Sequence, residues 1–322
     1  MKKIVAILMV LALVAGAFAA EVSAKVRLDG DLFNYNVDSG DMKAIMIGHK
    51  GDQDWNPVIA TSIEDDNYGA SVSFFVGNWG PAGNWNEGYF INANQWNIWF
   101  KPADILKFSI GRISAASNTD TIDWDRHLSN YDEWGYQAIF EINALTINLG
   151  LHQGAGAYWM AGSDFNGLGV FTNYALDNGS ITFSVNAENS FDDIAAVFGY
   201  KGAFGELGMF VDAAVFYNPA KVGFGADFDI SYAADAFGFE AYVAYTDKGA
   251  SALDVLTQAT FNVDPVTVYL YFKDENALAD VFASEIKLGV NGSVGDVSWD
   301  VAADFNTGSK VFSIPVKFVV SF

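Results

Sequence analysis

Residues 113–133 hold the densest group of chemically capable side chains in this 322-residue chain. Asp120, Asp123, Asp125, Arg126, His127, Asp132 and Glu133 stand there with no hydrophobic alternation between them. A polar stretch of this length without secondary-structure signals is uncommon unless it is functional. Its carboxylates Asp120, Asp123 and Asp125 can draw cations toward an opening, bind a divalent ion, or stand solvated. Catalysis finds little support. A nucleophile needs a base within hydrogen-bond reach, and His49, His127 and His152 lie in no serine-containing signature. His127 beside Asp125 falls short of a metal site, which needs several convergent ligands. Asp29-Gly30-Asp31 lacks the closing Glu of a calcium loop. Gly223-Phe224-Gly225 lies inside a strand pattern, away from a phosphate-binding turn. Two aromatic loops, one with Trp79 and Trp85 and one with Tyr158 and Trp159, can stack on sugars, although such residues more often pack within loops. No cofactor, no metal and no enzymatic activity are expected.

The elements that position these groups are strands. From residue 145 the chain alternates regularly. Leu145, Ile147, Leu149 and Leu151 stand against Thr146, Asn148, Gly150 and His152. Val222, Phe224, Ala226, Phe228, Ile230 and Tyr232 stand against Lys221, Gly223, Gly225, Asp227, Asp229 and Ser231. The final stretch puts Phe312, Ile314, Val316, Phe318, Val320 and Phe322 on one face, with Lys317 on the other. A period of two means strands with one apolar and one polar face. These strands run about 9–12 residues, longer than the usual 5–6 of soluble sheets. Tyr200, Tyr217, Tyr232, Tyr245 and Trp299 sit near strand ends. Before residue 100 the pattern is weaker, and residues 42–66 alternate poorly. Arg112 shares its face with Leu106, Phe108 and Ile110, so alternation sends it outward at a strand end, where an Arg can snorkel.

Composition narrows the class. Cysteine is absent, which excludes disulfides and thiolate metal sites. Charged residues are 17% and aromatics 16%, with 27 Phe, 14 Tyr and 9 Trp. Seventeen Lys and Arg against 39 Asp and Glu give a net charge of −22, which argues against a nucleic-acid partner. The start reads as an export leader: Met1-Lys2-Lys3, an apolar run to Val14, then the small-residue Ala17-Phe18-Ala19. That order is a secretory signal peptide over residues 1–19, cut after Ala19. No later apolar run reaches 18 residues. A membrane location therefore requires a closed barrel, since only helices and closed barrels satisfy their backbone in lipid.

The alternating terminal strand that ends on Phe322 resembles the closing strand of bacterial outer-membrane β-barrels, and the pattern over residues 20–322 resembles their porins. The resemblance implies an all-β, antiparallel, up-and-down transmembrane barrel. Some 300 residues at about 17–20 per strand and turn give about 16 strands, with 16 to 18 candidates in the chain. It also implies that residues 113–133 fold into the lumen, setting Asp120, Asp123, Asp125 and Arg126 against wall bases, for which Arg27, Lys107 and Lys221 are the candidates. Phe322 would belong to the signal read by the barrel assembly machinery. The expected partners are outer-membrane lipid, small polar solutes or cations, and two further copies in a homotrimer. The expected function is passive diffusion with cation preference, and the alternative is a non-channel surface barrel such as an adhesin.

Overall fold

A computed structural model describes residues 21–47, 58–77, 90–119, 122, 126–153, 165–248, 251–278 and 284–321. The expected leader, His49, Trp79, Trp85, Asp120, Asp123, Asp125, Tyr158, Trp159 and Phe322 lie outside the described residues.

The chain folds as the alternation directs. The first strands are β1 (Glu21–Asn36), β2 (Met42–Ile47), β3 (Val58–Glu64), β4 (Tyr68–Gly77), β5 (Phe90–Ala103) and β6 (Leu106–Ala116). There follow β7 (Asn130–Ile142), β8 (Leu145–Gln153), β9 (Phe165–Leu176), β10 (Gly179–Glu188), β11 (Asp193–Phe204), β12 (Leu207–Asn218) and β13 (Lys221–Ala233). The last are β14 (Phe237–Thr246), β15 (Ala252–Val263), β16 (Val266–Asp274), β17 (Ser284–Val294), β18 (Val297–Asn306) and β19 (Val311–Ser321).

From β3 onward each strand pairs antiparallel with the next. The ladder then returns to its start: β19 pairs antiparallel with β1, from Lys25↔Ser321 to Asn36↔Val311. Closure removes both sheet edges, which would otherwise present unpaired backbone groups. Among the described residues the strand count falls at the top of the expected sixteen to eighteen. β2 pairs with Gly30 to Tyr35 of β1, and β3 with Glu21 to Arg27 of the same strand. They are two parts of one stave, so nineteen strands make eighteen staves. That even number is what antiparallel closure of an up-and-down ring demands. Eighteen staves fit because one end is turned tightly, by pairs such as Asn143-Ala144, Asp177-Asn178 and Asp264-Pro265. Each stave therefore consumes fewer residues than assumed.

The two faces differ sharply. On β12, Val211, Val215 and Tyr217 are exposed, while Phe210, Asp212, Ala214 and Phe216 are buried. On β13, Val222, Phe224, Phe228 and Tyr232 are exposed, while Asp227 and Asp229 are buried. The exposed apolar register faces outward. The buried register faces the interior, because Asn118, Ile122, Arg126 and Leu128 of the β6–β7 connection pack on it. The longer connections, including 117–129, leave the end opposite the tight turns. The start of β1 and the end of β19 lie at the tight-turn end, beside the β17–β18 turn.

Candidate functional site

Residues 117–129 join β6 to β7, which are the fifth and sixth staves of the ring. The neck is pinched by the Ser117 N–H donating to Ser129 O at 2.8 Å and the Ser129 N–H donating to Ser117 Oγ at 3.2 Å. Beyond the neck the segment docks across the interior at four places.

Asn118 anchors it to β12. Its backbone N–H donates to Asp212 Oδ2 at 3.1 Å and its Nδ2 to Asp212 Oδ1 at 2.6 Å. The wall makes room for this pair at Gly199. A Cβ there would stand 1.7 Å from Asp212 Oδ1 and 2.9 Å from Asn118 Nδ2. Leu128 is the second anchor, packed with Val197, Ala214 and Phe216. Ile122 packs against two patches, one of Phe210, Tyr242 and Leu256 and one of Tyr269, Tyr271 and Ala302. Arg126 is the fourth anchor. It reaches Asp254 at 2.9 Å and also pairs with Glu275 Oε1, the same oxygen that Lys273 holds at 2.7 Å. Asp254 lies on the fourteenth stave and Glu275 just beyond the fifteenth. The segment leaves staves five and six and is clamped half-way round an eighteen-stave ring, so it crosses the barrel.

Asn118, Ile122, Arg126 and Leu128 thus lie against the inner wall, while Asp120, Asp123 and Asp125, the acids expected to oppose Arg27, Lys107 and Lys221, lie outside the described residues. Arg126 meets acids of the far wall. Lys107 lies on the inner face of β6 with Nζ 4.3 Å from the Trp99 ring centroid. Lys221 stands at the rim of β13, paired with Asp247. Arg27 pairs through its backbone with Val58 and Val319. Arg112 lies within β6, which runs on to Ala116, and pairs with Asp132 at 2.9 Å and Glu133 at 3.6 Å.

The inner wall also carries groups that the sequence reading placed on the polar face without a role. Asp212 and Asp227 are direct cross-strand neighbours, and Phe210 is opposite Asp229. Tyr242 Oη donates to Asp227 Oδ2 at 3.0 Å, and Tyr269 Oη to Asp300 Oδ1 at 2.8 Å. His152, on the polar register of β8, is completely buried. Its ring stacks on Tyr131 at 4.9 Å. Nδ1 is 3.0 Å from Gln153 O and Nε2 is 3.1 Å from Asn186 Oδ1. Asn186 Nδ2 donates to Asn130 O at 2.7 Å and Glu188 Oε1 at 2.9 Å. One imidazole therefore ties together the roots of three connections, those after β6, β8 and β10. His152→Ala is expected to cost about 1–3 kcal/mol, since it strands buried acceptors. Limited proteolysis of the folded barrel checks this, with faster cleavage in those connections as the expected outcome.

Glu275 titrates outside the strands. Its hydrogen bond to Lys273, helped by the charges of Lys273 and Arg126, holds its carboxyl below the usual carboxylate range despite partial burial. A lowered folded value means that its contribution is complete above the unfolded value of about 4.3 and fades as pH falls through the folded value. The clamp on Arg126 is therefore expected to hold unchanged from neutral pH down to about pH 4.3, and to weaken only below it. Thermal unfolding as a function of pH reads this, and Glu275→Gln is expected to flatten the acid limb.

No family model and no curated protein matches the chain. Solved structures do. A mutant porin of Rh. blastica aligns over 94% of this chain and 100% of its own, at 14% identity and a TM-score of 0.54. Two Pseudomonas aeruginosa proteins align as widely. OccK8 (OprE) covers 94% of this chain and 97% of its own, at 10% identity and a TM-score of 0.63. OccK11 (OpdR) covers 94% and 95%, at 8% identity and a TM-score of 0.59. The ring of antiparallel staves, its apolar outside and these alignments agree: the chain has the β-barrel fold of bacterial outer-membrane porins.

Proposed function

We propose that this protein is an outer-membrane channel through which small polar solutes and ions diffuse passively, with a preference for cations. The observation that carries the reading is a polar, acid-lined interior crossed by a pinned segment, inside a barrel whose outer face is exposed and apolar. Phe224 is 60% exposed, Phe198 59% and Leu288 57%. Contiguous apolar surface of this kind is not left to water, and a closed barrel is one of two structures that lipid tolerates. Rings of sixteen or more staves leave an aqueous passage. Residues 117–129 would then narrow that passage.

The charge layout supports cation preference. Asp212, Asp227, Asp229 and Asp254 stand on staves eleven to fourteen. Lys101 and Lys107 stand across the barrel on staves four and five, both over Trp99. Acids outnumber bases on the wall that the segment faces, and acidic linings favour cations. A cleaved leader over residues 1–19, read from its basic start, apolar run and small-residue end, belongs to the same proposal. Phe322 as an assembly signal for the barrel assembly machinery and a homotrimer belong to it too and rest on the sequence resemblance.

Planar-bilayer recording in a potassium chloride gradient tests it. The expected result is discrete open-channel steps whose reversal potential favours K⁺, with the preference reduced in the Asp227→Asn/Asp229→Asn double variant. An unchanged reversal potential in that variant removes the cation reading. Absence of steps from folded protein removes the channel reading and leaves a surface barrel.

A further inference from the structure

We infer that a recess in the inner wall beside the inward segment binds a small zwitterion, of amino-acid or dipeptide size, with its carboxylate on Lys201 and its ammonium on Asp229. This deepens the channel reading and rests on it. The recess has a volume of about 520 Å³, and its lining includes Thr119, Ser180, Lys201, Asp229 and Ser231. That falls within the range of about 300–1,000 Å³ usual for small-molecule sites.

The strand register builds the site. Ser180 is opposite Lys201, Lys201 opposite Phe210, and Phe210 opposite Asp229, so the four form one inward row across β10 to β13. The row lies one step toward the tight turns from Asp212, where Asn118 docks. Thr119 of the segment thus overhangs it. Neighbouring strands stand about 4.8 Å apart, which puts the Lys201 and Asp229 α-carbons about 10 Å apart with Phe210 between them. Ser231 lies in the adjoining row, opposite Gly208. Gly208 keeps the recess open, since a Cβ there would stand 2.5 Å from Ser231 Oγ.

The charges select the solute. Lys201 is exposed to the recess and carries no salt bridge to a described residue; its ammonium stands 5.9 Å from the Phe210 ring centroid. It stands on a wall that also bears Asp212, Asp227 and Asp229, while Lys248 lies over Phe216, two rows beyond Asp212. A net anion would satisfy Lys201 but meet those carboxylates. A simple cation would meet the acids and leave Lys201 opposed to it. A molecule with both charges satisfies both ends, and the hydroxyls of Thr119, Ser180 and Ser231 suit the polar groups between them.

Single-channel recording with glycylglycine as the probe tests the site, with triethylene glycol as an uncharged solute and acetate as a plain anion. Glycylglycine is expected to reduce the current in a saturable way, and the other two are not. Lys201→Gln is expected to keep the open-channel steps while raising the half-blocking concentration at least about tenfold, the loss expected for a charged hydrogen bond. Lys201→Arg is expected to restore block. Equal block by acetate, or unchanged block in Lys201→Gln, overturns the proposal. Calorimetric titration of the detergent-solubilised barrel with glycylglycine reads the same site without conductance. Binding there without channel steps would sink the channel reading alone. No binding there beside normal steps would sink this site alone.

Discussion

Arg126→Ala is expected to free the inward segment at its far anchor and enlarge the open channel. The segment is fixed at its neck by Ser117 and Ser129, on β12 by Asn118, and across the barrel by Arg126. Removing the guanidinium leaves Asp254 with the Asn276 N–H at 3.0 Å and Glu275 with Lys273. The side chains of Arg126 and Asp254 are 21% and 24% exposed, that of Glu275 56%. The Asp254 contact therefore dominates, and the Glu275 contact is discounted by solvent. The cost to docking is about 1–3 kcal/mol. Leu128→Ala acts on a drier contact, Leu128 being 7% exposed, and its cost is about 2–4 kcal/mol. Neither change touches the strand ladder, so heat resistance of the barrel is expected to remain close to wild type. Single-channel conductance and open-channel noise are expected to rise in both variants, and furthest in the double variant. Unchanged conductance in the double variant would mean that the segment does not limit the passage.

Local pattern carried the outer face of the barrel and little of its interior. Val211, Val215, Phe224, Phe228 and Leu270 sit outward as alternation requires, because a strand's faces follow from a period of two. Residues 42–66 resisted that reading. β2 and β3 both pair with β1 to complete one stave, and a split stave leaves no continuous alternation to detect. The inward register held an unused signal. Phe210, Phe216 and Leu256 stand on the inward register among acids such as Asp212 and Asp229, and each is buried against Ile122 or Leu128 of the segment. Large apolar residues pointing into a watery interior imply an apolar visitor. Which visitor is not local information, since Asn118 meets Asp212 across 94 residues and Arg126 meets Asp254 across 128. The polar 113–133 stretch was legible as a long connection between strands. Its partners were not, since they depend on closing the ring.

The sharpest test of which face meets lipid is a pair of arginines. Phe228 stands near the middle of β13 on the outward face, between the exposed Val211 and Val243 on neighbouring staves. An Arg placed on the lipid face at mid-depth costs about 2–4 kcal/mol, falling toward the interfaces. Phe228→Arg is therefore expected to lower the yield and denaturant midpoint of barrel folded into lipid vesicles. Gln258 stands at a comparable depth on β15 but faces inward, opposite Glu240. Gln258→Arg places its charge in water beside a carboxylate, and its denaturant midpoint is expected to stay near wild type. The comparison carries a sign. If the outward face met water, replacing an exposed Phe by Arg would be neutral or would improve solubility, so an undiminished midpoint for Phe228→Arg would contradict the lipid-facing assignment. Loss of folding in Gln258→Arg alone would mean that the faces are exchanged, and with them the acid-lined passage.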